Sequence, residues 1–136
     1  LALQKSKVIP ETRQTEYNWI ADSFAVGAIL ATNTHKEDPY YYSHDRARFM
    51  AEDQSNAILN KYEFDVAFEN GTGTKTWHTI MDGHERETHA DVNGMTVPIY
   101  QPFLVGGTEM MYPHDSSLGA GPEELVNCRC SVSFNK

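Results

Sequence analysis

The sequence contains little cysteine, and its two cysteines, Cys128 and Cys130, are separated by a single residue. A secreted disulfide scaffold needs more cysteines than this. A disulfide between the two would be strained, because an extended chain holds the Cα atoms of residues i and i+2 near the upper limit for bridging. We therefore expect them to be reduced thiols or metal-bound thiolates.

Long apolar runs are also missing, and no stretch approaches the ~20 residues of a membrane-spanning helix, so we expect no membrane partner. Basic residues are few, since 11 Lys and Arg against 19 Asp and Glu give a formal net charge of -8. They are also scattered, which disfavours sequence-specific DNA binding, although a nuclease pocket would need only a few local cations. The 136 residues suffice for one domain with its own hydrophobic core.

The first half of the sequence has helical features. Residues 1–16 are polar and lack periodicity, which predicts an arm or linker. Residues 17–30 favour a helix over a turn and a strand, and breakers in residues 31–42 predict a loop. The clearest helix is expected from about His44 to Asn70, where apolar residues recur at steps of three and four.

The second half has the two-residue period of strands. "KTWHTIM" at residues 75–81 predicts a strand, and Asp82 with Glu85 three residues later predicts a capping box at the start of a short helix. Further strands are expected at residues 95–100, 109–113 and 128–134. The pattern therefore favours an α+β fold: an N-terminal helical segment with a long helix, then a small, mostly antiparallel sheet with a short helix.

Four side chains of this half form a candidate metal site. Cys128 and Cys130 on a strand would point to one face, about 6.5 to 7 Å apart. With His89 and Asp82 they would supply four zinc ligands, which leaves no open coordination position and disfavours a zinc-dependent hydrolase. The plainer alternative is that both thiols fill core space, that Asp82 only caps the helix and that His89 is a core histidine.

Two catalytic alternatives stay open. A nuclease could use His78, His84 or His89 as acid and base, with Arg86 on the same helix face as His89 to stabilise the phosphorane. A thiol nucleophile would need Cys128 or Cys130 beside His89. Because the chain has six histidines, such pairings are easy to imagine, so an enzyme is the less favoured interpretation.

Ordered landmarks in residues 44–134 resemble a known family. The pattern W-x-T-x-x-D-x-x-x-R-x-x-H-x-x-x-N-G-x-x-V-P, then PF, MYP-x-D and NCRC, is similar to the C-terminal domain of phage minor head proteins typified by the F protein of phage Mu. The matching positions are Trp77, Thr79, Asp82, Arg86, His89, Asn93, Gly94, Val97, Pro98, Pro102, Phe103, Met111, Tyr112, Pro113, Asp115, Asn127, Cys128, Arg129 and Cys130.

The resemblance implies a structural minor head protein of a tailed phage. It implies contacts with portal or capsid proteins, a place in the capsid interior and, during assembly, in the host cytoplasm, and at most non-specific contact with packaged DNA. It also implies that residues 44–136 form the family domain. Residues 1–43, which carry none of the landmarks, are expected to be an N-terminal arm and helical segment. The same domain occurs joined to toxin modules and has been likened to a small nuclease. Zinc held by Asp82, His89, Cys128 and Cys130 would then act as a clip between helix and last strand.

Overall fold

The computed structural model describes residues 9–125 and 128–135. The landmark Asn127 lies outside the described residues. Contacts between Cα atoms divide the chain into two compact units, Leu1–Leu59 and Asn60–Lys136. The boundary predicted between residues 43 and 44 concerns the extent of the family domain rather than these compact units, and it stays a prediction.

The first unit is helical. A 3₁₀-helix at Glu11–Tyr17 leads into helix α1 (Asn18–Thr34), and a second 3₁₀-helix follows at Pro39–Tyr42. The prediction of a helix over residues 17–30 is confirmed, but α1 continues four residues into the predicted loop. The hydroxyls of Thr32 and Thr34 donate to the carbonyls of Ala28 and Leu30, which accommodates these residues in the last turn.

Helix α2 (His44–Glu69) confirms the long helix predicted from the sequence. Ser43 caps its start, because the Oγ of Ser43 accepts a hydrogen bond of 3.2 Å from the backbone N of Arg46. At its end, the N–H of Gly71 donates to the carbonyl of Phe68 and that of Thr72 to the carbonyl of Ala67. These two bonds form a Schellman motif, which satisfies the last helical carbonyls.

An antiparallel sheet of order β2-β1-β5 lies in the second unit, and a separate hairpin pairs β3 with β4. The strands are β1 (Thr74–His78), β2 (Thr96–Pro98), β3 (Phe103–Val105), β4 (Thr108–Met110) and β5 (Ser131–Asn135). Short helices α3 (Glu87–Asp91) and α4 (Pro122–Leu125) complete it. The α+β class is confirmed, whereas β3 and α4 were not predicted.

The predicted helix start at Asp82 is wrong, because α3 begins only at Glu87. Asp82 instead accepts a hydrogen bond from the backbone N of His84 at 3.0 Å, and Glu85 accepts one from Gly83 at 2.7 Å. Gly83 has a φ of 89°, a turn conformation that interrupts any helix through it. The helix face that Arg86 was predicted to share with His89 is therefore not formed, because Arg86 is the extended residue before α3 and Asp82 lies further upstream.

The cysteines precede the last strand rather than lying in it, since β5 begins at Ser131. The alternation expected of a strand nevertheless persists, because Cys128, Cys130 and Val132 are all buried. Both thiols therefore enter the main apolar cluster of the second unit. The members of that cluster are Trp77, Val92, Val97, Phe103, Val105, Met110, Ala120, Cys128, Cys130 and Val132.

A charged side chain, that of Lys75 on β1, is fully buried beside this cluster. Its Nζ donates a hydrogen bond of 2.7 Å to the carbonyl of Met111 and lies 5.0 Å from the ring centroid of Phe103. Burial lowers the pKa of Lys75 to about 8, although the carboxylate of Asp115 opposes this shift. No helix in the described ranges is long and apolar enough to cross a membrane.

Candidate metal centre

Helix α3 presents His89 to the core, where the side chain is 2% exposed. A chain of hydrogen bonds fixes the helix to the end of β1. The indole N–H of Trp77 donates to the Thr79 hydroxyl at 3.0 Å, and that hydroxyl donates to the carbonyl of His89 at 2.7 Å. The rings of Trp77 and His89 meet edge to face, with centroids 5.8 Å apart. The imidazole is thus held in one orientation.

The Nδ1 atom of His89 faces both thiols. It lies 3.4 Å from the Sγ of Cys130 and 3.7 Å from the Sγ of Cys128. A tetrahedral zinc ion with ordinary Zn–S and Zn–N bonds separates sulfur and nitrogen ligands by about 3.6 Å. The two distances from Nδ1 to the sulfur atoms are close to this ligand–ligand separation. The three candidate ligand atoms lie within 4.8 Å of one another. These three side chains could therefore hold a metal ion.

The other ring nitrogen of His89 faces a buried carboxylate. Its Nε2 lies 3.2 Å from Oε1 of Glu124, close enough for an ion pair, but the angle is outside the range of a hydrogen bond. The hydroxyl of Thr88 donates to the same oxygen at 2.6 Å and fixes the carboxylate. Metal-binding histidines usually donate the opposite ring N–H to a carboxylate or carbonyl. Glu124 lies on that side of His89, within ion-pair distance of Nε2.

The two thiols differ in how readily they ionise. A hydrogen bond from Cys128 lowers the pKa of Cys130, and His89 acts in the same direction. That bond to Cys130, together with burial, raises the pKa of Cys128. Cysteines bind metals as thiolates. Cys130 ionises readily, whereas Cys128 would release its proton when a metal ion binds.

Asp82 is not among the three clustered residues. It forms a bidentate ion pair with Arg129, with N–O distances of 2.7 and 3.0 Å. The guanidinium holds the pKa of Asp82 well below its usual value. Because Arg129 lies between the cysteines in sequence, this pair ties the turn at Asp82–Glu85 to the thiol segment. The carboxylate therefore braces the segment from outside the cluster.

Of the residues named for the nuclease alternative, His84, Arg86 and His89 line one cleft, whereas His78 lies apart from them. His78 is exposed, and its Nε2 lies 2.7 Å from the hydroxyl of Ser133 on the neighbouring strand. A small cleft contains Arg86 and His89 but not His78. Its lining residues are Thr79, Ile80, His84, Glu85, Arg86, His89, Arg129 and Cys130.

Sequence reasoning missed Glu124, which lies on α4, a helix that was not predicted. A signal was present, because Pro122 followed by two acidic residues is a typical first helical turn. The sequence did not indicate that Glu124 lies beside His89, because the two residues are distant in sequence and meet only in the folded chain.

The fold and site define a small α+β domain with a buried imidazole–dithiol cluster. The family model of phage Mu protein F like proteins matches residues 11–133, nearly the whole chain. The chain belongs to this family, and membership points to a phage head-morphogenesis protein. The match begins well upstream of residue 44, where the resemblance in sequence motifs started. No solved structure matches the chain.

Proposed function

We propose that the protein is a structural component of the phage head that acts through contacts with portal or capsid proteins, with a zinc ion clipping its second unit together. Family membership supports the role in head assembly. The grouping of His89, Cys128 and Cys130 carries the proposal of a zinc clip. Head interior and host cytoplasm during assembly are the locations that this role requires.

The proposed clip joins distant parts of the chain. His89 on α3 and Cys128 before β5 are 39 residues apart in sequence. An ion bound by both would stabilise the folded second unit, because the unfolded chain offers no preformed site. Such a clip suits a small domain that must keep its shape inside a filling capsid.

Exposed apolar side chains on α1 support a protein-binding role. Trp19, Val26 and Leu30 recur at spacings that place them on one helix face, and each is about half exposed or more. Contiguous exposed apolar surface is typical of protein interaction sites. The net charge of -8 makes proteins better partners than DNA, and any contact with packaged DNA would be non-specific.

Incorporation into particles tests this role. The chain would be co-produced with the portal and major capsid proteins of its own phage, and assembled particles would be separated by sedimentation. We expect the wild-type chain in the particle fraction and a much smaller amount of the Leu30→Asp variant there. Leu104→Asp is the matched control, because Leu104 is 61% exposed and Leu30 is 62% exposed. Absence of the wild-type chain from particles, or equal incorporation of both variants, would contradict the proposal.

A nuclease is the second candidate, because Arg86 and His89 line one cleft. Purified protein would be incubated with RNA and DNA, with and without a chelator. Burial of His89 against thiols and a carboxylate favours a structural role for it, so we expect no turnover. Cleavage that is lost in His89→Ala and kept in His78→Ala would replace the structural proposal with an enzymatic one.

A further inference from the structure

The cluster supplies three ligands, whereas a closed structural zinc site has four. Within the described residues, His89, Cys128 and Cys130 are the group that meets in one place. Glu124 cannot complete the set, because it faces Nε2 on the far side of the imidazole from the thiols. The carboxylate of Asp82 is held by Arg129. One coordination position is therefore left without a ligand from the described part of the chain.

A small cleft lies beside the cluster. It is lined by Cys130 and His89 but not by Cys128, so it opens onto one side of the group. On another side the cluster packs against the Trp77 ring and the core. His84 and Glu85 also line the cleft, yet neither belongs to the metal-binding group. This cleft, lined in part by His84 and Glu85, is therefore the side from which solvent would reach an ion held by His89 and Cys130.

We propose that the fourth coordination position faces this cleft and exchanges small, monodentate anionic ligands with solvent. Cys130 and His89 are each only 2% exposed, so a ligand that reaches an ion between them would have to be small. Arg86, Arg129 and the acidic Glu85 all line the cleft. Arg129 is already paired with Asp82, so the attraction of an anion depends on the positive charge of Arg86. An exchangeable position is the feature that separates reactive zinc sites from purely structural ones.

This inference rests on the metal site proposed above, and cobalt substitution tests the two separately. Co²⁺ takes the place of zinc in the full chain, and visible absorption reports its coordination. Azide, a small anionic donor, is then added stepwise. We expect a saturable change in the cobalt bands, while absorption from the cobalt–thiolate bonds persists and shows that the ion stays bound. The His78→Ala variant, at a histidine that does not line the cleft, should respond like wild type.

Two variants sharpen the result. Arg86→Gln should bind cobalt normally but bind azide about threefold to tenfold more weakly, since one nearby positive charge is removed. A cobalt spectrum that does not respond to azide would show four protein ligands and overturn the inference while leaving the zinc clip intact. A response that appears only in His84→Ala would identify His84 as the fourth ligand, with the same consequence. Failure to bind cobalt at all would overturn both the clip and the open position.

Discussion

The two units of the chain differ in how they use apolar side chains. Helix α1 buries Ile20 but leaves Ile29 and Leu30 more than 60% exposed. In the second unit, Trp77 and Phe103 are fully buried and pack edge to face, with ring centroids 5.2 Å apart. Both apolar clusters of the described residues lie in this second unit. The second unit therefore contains the apolar clusters that stabilise it, whereas the described part of the first unit leaves much of the apolar surface of α1 exposed.

The largest expected difference compares the two tryptophans. Trp77→Ala should reduce the free energy of unfolding by about 3–5 kcal/mol, because it removes a fully buried ring and leaves a cavity. Trp19→Ala, at a position 49% exposed, should cost less than about 1 kcal/mol. Denaturant unfolding of both variants measures the difference. Equal losses would show that the first unit depends on Trp19 as the second does on Trp77.

Two glycines should respond to alanine with opposite signs. At Gly106, where φ is 60°, a Cβ atom would collide with the Glu124 carboxylate and approach the Thr88 methyl. Gly106→Ala should therefore destabilise by about 1–3 kcal/mol and disturb the support of His89. Gly27→Ala, in open space on α1, should stabilise by about 0.5–1 kcal/mol. Thermal unfolding checks both signs, and a harmless Gly106→Ala would show that the backbone does not approach Glu124 closely.

The buried lysine should make stability depend on pH. The pKa of Lys75 falls from 10.5 to about 8 on folding, chiefly through burial. Between these values the unfolded chain retains a proton that the folded chain has released, so stability rises with pH. Relative to Lys75→Met, wild type should gain on the order of 1–3 kcal/mol between pH 7 and pH 10. Denaturant unfolding at both pH values tests this, and parallel behaviour would show that Lys75 is not effectively buried.

The smallest effect is expected at the exposed ion pair. Asp82→Asn removes the partner of Arg129 and should lower the melting temperature slightly, less so in high salt. Because folding depresses the pKa of Asp82, its contribution is present above pH 3.8 and is lost as the pH falls through the lower folded value. The two melting curves should therefore converge in acid. A large loss in Asp82→Asn together with loss of bound metal would make Asp82 a ligand after all.

The sequence predicted the elements that depend on local chemistry. The long helix lies close to its predicted range of about His44 to Asn70, with Ser43 capping its start and Gly71 following its end. Alternation placed both thiols on the buried side. The start of α3 was misjudged, because Asp82 and Glu85 satisfy a capping-box pattern equally well in a turn.

The association of His89 with the thiols was also anticipated, and it provides the main link between sequence and site. Its partner Glu124 was not, because a carboxylate behind an imidazole leaves no mark on sequence spacing. The ion pair between Asp82 and Arg129 was not predicted either, because the two residues are 47 positions apart and meet only in the folded chain.

Native mass spectrometry of the purified chain tests the zinc clip most directly. Prepared without chelator, wild type should carry one zinc ion, which Cys128→Ser and His89→Ala should lose. Asp82→Asn should retain it, because its carboxylate lies outside the cluster. A folded wild-type chain that carries no zinc under these conditions would contradict the account and leave His89 and the two thiols as ordinary core residues.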